Sequence, residues 1–143
     1  MRILLPLLGL GFCLIGCKPA PALRVDLEPP AVILPASVQE FSPAEAAAWM
    51  TENPGALILD ARMAEEVTRE GKLPGSQHHD YLKPTTQEYL ATLDRQKPCL
   101  IYCALGGRSR RLAVQMHELG FTRLAVLKDG LNAWQTEGRA VVK

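Results

Sequence analysis

The stretch from Cys99 to Arg111 limits what this 143-residue chain can fold into more than any other. After Pro98 an apolar run, Cys99-Leu100-Ile101-Tyr102-Cys103, reads as a buried strand, and a helical pattern starts near Ser109. Only a short loop, Ala104-Leu105-Gly106-Gly107-Arg108, lies between them. A cysteine therefore stands at the carboxyl end of a strand and faces the amino end of a helix.

The chemistry of that position follows from the backbone. The first turn of a helix carries unpaired N–H groups and a partial positive charge, so it favours an anion beside it. A thiolate, the nucleophilic form of cysteine, is such an anion. Gly106 and Gly107 give the loop conformations closed to other residues, so that several N–H groups can converge on one point, and Arg108 adds a full positive charge near it. Such a bowl suits a thiolate, an anionic substrate, or a terminal sulfur attached to the cysteine.

Cys103-Ala104-Leu105-Gly106-Gly107-Arg108-Ser109 resembles the active-site loop of the rhodanese-like sulfurtransferases. Three more stretches carry the likeness in order. Leu57-Ile58-Leu59-Asp60-Ala61-Arg62 resembles the family's apolar strand ending in Asp-x-Arg. Gly71-Lys72-Leu73-Pro74-Gly75-Ser76 is similar to its Gly-His-Ile-Pro-Gly-Ala stretch, and Leu127-Lys128-Asp129-Gly130-Leu131-Asn132-Ala133-Trp134 to its Leu-x-Gly-Gly-x-x-Ala-Trp segment. Lys72 departs from the usual His, and Asp129 from the first Gly of the late pair. The resemblance implies an α/β fold: one rhodanese-like domain over 37–143, with a central, mostly parallel five-stranded sheet and helices on both faces. It also implies a sulfurtransferase in which Cys103 is catalytic. Ala104, Leu105, Gly106, Gly107, Arg108 and Ser109 would bind the substrate, and Asp60 and Arg62 would brace the active loop. The implied partners are a small sulfur-containing donor such as thiosulfate and a thiol or cyanide acceptor. No metal or organic cofactor is implied.

The rest of the chain alternates strand and helix signals, as a right-handed crossover sheet requires. Val38–Phe41 reads as a short strand. Ser42-Pro43-Ala44-Glu45 then opens a helix with a cap, a first-turn proline and a capping-box glutamate, and Asn53-Pro54-Gly55 stops it. Ala56 to Asp60 reads as a central strand, residues 63–70 as a charged helix ended by Gly71, and Thr85 to Arg95 as another helix. The central helix runs to Leu119, followed by a strand at Leu124–Leu127 and a helix from Leu131 to Thr136. The active loop then lies at the carboxyl ends of the strands, where open α/β sheets place their ligands.

Before the domain, Met1-Arg2 and the apolar run Ile3–Ile15 form a signal-like segment. About 13 residues at 1.5 Å each fall well short of a bilayer's roughly 30 Å core. Leu14-Ile15-Gly16-Cys17 resembles the lipobox of bacterial lipoproteins. That likeness implies a signal peptide over 1–16, lipidation of Cys17, and a periplasmic domain held to a membrane by its lipid, with Lys18 favouring the outer over the inner membrane. An ordinary signal peptide and an uncleaved anchor are the alternatives. Residues 17–36, with Pro19, Pro21, Pro29, Pro30 and Pro35, read as an extended tether, or as a strap docked through Val32-Ile33-Leu34.

A formal net charge of +1, with no basic stripe, argues against a nucleic-acid binder. Within one strand Cys99 lies roughly 13 Å from Cys103, too far for a disulfide, and reads as a small core residue. His78 and His79 are adjacent, so on a strand they point to opposite faces and do not share an ion; they read as a solvated loop or edge. Trp134 reads as packing and His117 as an ordinary helix residue. Arg110 and Arg111 either extend a positive rim or are solvated. A cysteine phosphatase resembles Cys-x5-Arg, whereas here the arginine arrives one residue early. A non-enzymatic tethered module for binding or sulfur carriage is the remaining rival, since one fold hosts many functions.

Overall fold

The computed structural model describes residues 31–143; the signal, lipobox and most of the tether predicted above lie outside the described residues. Five strands and five helices alternate: β1 (Gln39–Phe41), α1 (Pro43–Glu52), β2 (Leu57–Asp60), α2 (Ala64–Glu70), β3 (Gln77–His78), α3 (Thr86–Ala91), β4 (Cys99–Tyr102), α4 (Gly107–Glu118), β5 (Leu124–Leu127) and α5 (Gly130–Thr136). The strands form one sheet in the order β1-β5-β4-β2-β3, every pair parallel. A lone antiparallel bridge joins Lys72 to Val142 outside it.

Because side chains alternate across a strand, the apolar runs divide between two cores. Leu57, Leu59, Cys99, Ile101, Leu124 and Val126 pack with Leu90 of α3 and with Leu112, Ala113 and Met116 of α4. Ile58, Leu100, Tyr102, Ala125 and Leu127 face the other way and pack with Ala46 of α1 and with Leu131 and Trp134 of α5. Both faces of the sheet are covered, which is why β2, β4 and β5 are buried at every position and lack a polar alternation.

The capping box at α1 forms as its residues require: the Ser42 N–H donates to Glu45 Oε2 at 2.8 Å and the Glu45 N–H to Ser42 Oγ at 3.3 Å. Two other boundaries differ from expectation. The predicted helix over 85–95 holds only for Thr86–Ala91. Beyond it Thr92 Oγ1 donates to the Tyr89 carbonyl, the Leu93 N–H takes Leu90 O, and Asp94 Oδ1 accepts the Gln96 N–H, three local bonds that turn the chain. The central helix starts at Gly107 rather than near Ser109: the Arg110 N–H already bonds Gly106 O at 3.1 Å. Its first turn carries no apolar residue, so hydrophobic periodicity begins only at Leu112.

His78 lies on the edge strand β3, as the edge reading has it, and both histidines are half-buried and bonded rather than solvated. His78 Nε2 donates to the Arg62 carbonyl at 2.7 Å, while His79 lies 3.1 Å from Thr86 Oγ1 and stacks on Tyr89 with ring centroids 4.0 Å apart. Burial first, then the charges of Lys83 and His78, hold His79 below the usual imidazole range. Trp134 is buried and its Nε1–H donates to Ala140 O. His117 is exposed and meets Ser37 Oγ at 3.3 Å. At the domain's approach Leu34 packs against the α4 core and Arg110 reaches Val32 O, while Ile33 between them is exposed.

Candidate active site

Cys103 follows β4 directly, and the loop to α4 folds back over its sulfur. Gly106 supplies the reversal with a φ of 92°, a left-handed conformation that side chains resist. That turn aims the Gly106 N–H at Cys103 Sγ, 3.1 Å away. Ser109 Oγ stands 3.6 Å from the same sulfur and donates to Gly106 O at 2.9 Å, so this fully buried hydroxyl holds the loop closed. The amides of Gly107, Arg108 and Ser109 belong to the first turn of α4, where no acceptor exists within the helix. Cys103 is 1% exposed and forms the floor of the bowl, whereas Leu105 is 69% exposed at its lip. Cys99, one strand length away and also buried, is the other cysteine of the described residues; burial pushes its thiol up to about 12 and leaves it inert.

The back of the loop is held by α5. The Leu131 N–H donates to Cys103 O at 2.8 Å and the Asn132 N–H to Ala104 O at 3.1 Å. These bonds require Gly130, because a Cβ there would stand 2.4 Å from Cys103 O and 2.6 Å from Ala104 O. The preceding Asp129 takes a φ of 55°, a conformation that aspartate tolerates better than most residues, which is how it stands where the family resemblance has glycine. Lys72, the other departure, donates from Nζ to Ser76 O at 2.9 Å and so ties its turn without an imidazole.

Asp60 and Arg62 are neither surface residues nor contacts of the active loop. Both are fully buried. Arg62 donates to Asp60 through Nε (3.0 Å) and Nη2 (2.7 Å), to Gly71 O at 2.6 Å and to Glu70 at 3.1 Å. Tyr102 Oη donates to Asp60 Oδ2 at 2.7 Å and accepts the Leu73 N–H at 3.1 Å. The expected brace of the 104–109 loop is thus a brace of residues 70–76 that reaches the active loop only through Tyr102, the neighbour of Cys103. The reason is reach: Arg62 folds back on its own strand end and onto the turn beside it. Burial and the Asp60 carboxylate both press the Tyr102 hydroxyl well above its usual range, so it stays a neutral donor.

Arg108 differs from expectation in a further way. Its guanidinium is held by Glu66 of α2 through two bonds, Nη1–Oε2 at 2.6 Å and Nη2–Oε1 at 2.7 Å, with 20% and 12% of the two side chains exposed. Hydrogen bonding to Arg108 lowers the Glu66 carboxyl from 4.5 to about 2 despite its partial burial. Glu66 also accepts the Met63 N–H at 2.9 Å. Arg110 adds no charge to the rim either, since it pairs with Glu40 of β1; Arg111 is exposed. Sequence reasoning missed Glu66 and Gly130. Glu66 sits at the third position of α2, a capping-box place, but Met63 before the helix is not a capping side chain and hides the pattern.

Beside the loop an open groove of about 490 Å³ is lined by Ala104, Leu105, Glu66, Glu70, Asn132 and Gln135. Among the described residues no cluster of His, Cys, Asp or Glu could hold a metal ion.

A thiol at the end of a parallel strand, under the amides of a helix start and with no histidine touching it, defines a cysteine-based transfer domain of the α/β class. Residues 42–137 match the Rhodanese-like domain family, and the chain belongs to that family. It is 31% identical over 104 residues to the thiosulfate sulfurtransferase GlpE of Actinobacillus pleuropneumoniae serotype 5b (strain L20), covering 69% of this chain and 88% of that one. Among solved structures it resembles the polysulfide-sulfur transferase homodimer of Wolinella succinogenes (25% identity, TM-score 0.62, 75% of this chain and 80% of that chain). It also resembles a rhodanese-related protein of Thermoplasma volcanium (27% identity, TM-score 0.60, 73% and 97%).

Proposed function

We propose that this chain is a sulfurtransferase that carries sulfane sulfur on Cys103. The Gly106 amide set on Cys103 Sγ at the amino end of α4 is the observation that carries the reading, because it prepares the place of a sulfur anion before any donor arrives. With thiosulfate, the Cys103 thiolate attacks the outer sulfur, a Cys103 S–S bond forms, and the donor's S–S bond breaks as sulfite leaves with the electron pair. The persulfide anion then yields its outer sulfur to cyanide, giving thiocyanate, or to a thiol, and the thiolate returns. The covalent intermediate makes the kinetics ping-pong. The first-turn amides of Gly107, Arg108 and Ser109 stand free to meet the outer sulfur.

The site also belongs, on this reading, to a lipoprotein anchored through Cys17, with the domain in the periplasm of a bacterial envelope. Support comes from the lipobox-like Leu14-Ile15-Gly16-Cys17 and the proline-rich stretch after it. Near-complete burial of Cys103 favours one rival, a tethered module that binds or carries sulfur without turnover. Intact mass spectrometry of protein taken from its host membrane, then exposed to thiosulfate, tests both parts. Acyl chains on Cys17 and a gain of about one sulfur atom on Cys103, absent in Cys103→Ser, are expected. No gain with any sulfane donor, and binding of a partner unchanged by Cys103→Ser, would establish the module instead.

A further inference from the structure

The cation at the mouth of the site is already occupied. Arg108 is the one charged side chain of the 104–109 loop, yet both its terminal nitrogens point at the Glu66 carboxylate, in a pair that is four-fifths buried or more on each side. Glu66 is fixed in turn by the Met63 N–H, so α2 presents it in one orientation. The pair is neutral as a unit. Hydrogen bonding to Glu66 foremost, against burial, holds the Arg108 guanidinium above its usual range, and the charges of Cys103 and Asp80 act in the same direction as Glu66. Lining the groove beside the loop, Arg69 and Glu70 are paired with each other.

We infer that Glu66 is a specificity-determining residue: by neutralising Arg108 it leaves recognition of the transferred group to backbone amides and turns the site toward sulfane donors of low charge, such as alkyl hydropersulfides and neutral organic polysulfides, over the thiosulfate dianion. A full positive charge on the loop that folds over the reacting sulfur would reward each added negative charge on the donor, and the carboxylate cancels that reward. Backbone dipoles at a helix start stabilise the single charge that ends on the outer sulfur without selecting for a second. Arg108 then acts as a positioning residue that pins the loop to α2. This inference rests on the reading of Cys103 as the sulfur-accepting nucleophile.

Its test does not depend on turnover. The full-length protein is alkylated with iodoacetate, an anion, and with iodoacetamide, its neutral counterpart. In each case the Cys103 thiolate displaces iodide and a thioether forms, and mass spectrometry of the peptides reads the rate at Cys103. Glu66→Gln keeps an acceptor for the Met63 N–H, removes the charge, and gives up one of the two Arg108 bonds because an amide carries a single oxygen. The expected result is a rise of about fivefold or more in the iodoacetate-to-iodoacetamide rate ratio at low salt. The rise should shrink at about 1 M salt, where the screening length is about 3 Å. Adding Arg108→Gln to Glu66→Gln should return the ratio to that of the unaltered protein, and Asp80→Asn alone should leave it unchanged. For turnover, Glu66→Gln should lower KM for the thiosulfate dianion by a larger factor than KM for a monoanionic thiosulfonate. A ratio unmoved by Glu66→Gln, or moved equally in the double variant, overturns the inference, whereas failure of any donor to load Cys103 with sulfur overturns the reading beneath it.

Discussion

Single atoms decide the geometry around Cys103, and two of them are backbone hydrogens. Gly106 aims its amide at the sulfur and Gly130 lets α5 press against the loop's carbonyls. Gly130→Ala should therefore destabilise the protein by about 3 kcal/mol and displace the loop, read as a fall in Tm and in the rate of sulfur loading. Glu66 makes a pH prediction. Its carboxyl sits near about 2 when folded against 4.5 when unpaired, so its contribution is complete above 4.5 and drains away as pH falls toward about 2. Melting curves should show the unaltered protein more stable than Glu66→Gln at neutral pH, with the gap closing across that acid window. Cys103 and its loop were legible because a strand, two glycines and an arginine are local signals. Glu66 was not, because its meaning lies in a contact 42 residues away in sequence.

Between elements, the buried Asp60–Arg62–Tyr102 network joins the end of β2, the end of β4 and the turn over residues 70–76. A buried charge stripped of its partner is costly, so Arg62→Met should lose about 3–5 kcal/mol, and Asp60→Leu in the same chain should recover part of it. Chemical denaturation of the two variants measures both. The strands β2, β4 and β5 were readable as unbroken apolar runs because both faces of the sheet are covered. The edge strand β3, two residues long and polar, has no such run and exists only through its pairing with β2. The first turn of α4 was invisible for the opposite reason: it buries no apolar side chain, and its residues serve the loop.

Across the molecule, strand order is the property the chain's pattern leaves open, since alternation predicts parallel neighbours without saying which. The order found puts β5, β4 and β2 inside and β1 and β3 at the edges. Hydrogen exchange should be slowest at Leu100, Ile101 and Val126 and fastest among strand amides at Gln77 and His78, and a reversed ranking would contradict the order. Cys103 directly follows a central strand, so on the proposed function the most protected part of the sheet leads into the chemistry. Its loop, however, leans on α5 through Leu131 and Asn132. A polypeptide leaving the ribosome amino end first therefore holds an unfinished Cys103 loop until residues 130–136 have emerged, and the bowl around the thiol closes only once nearly all of the domain has been made.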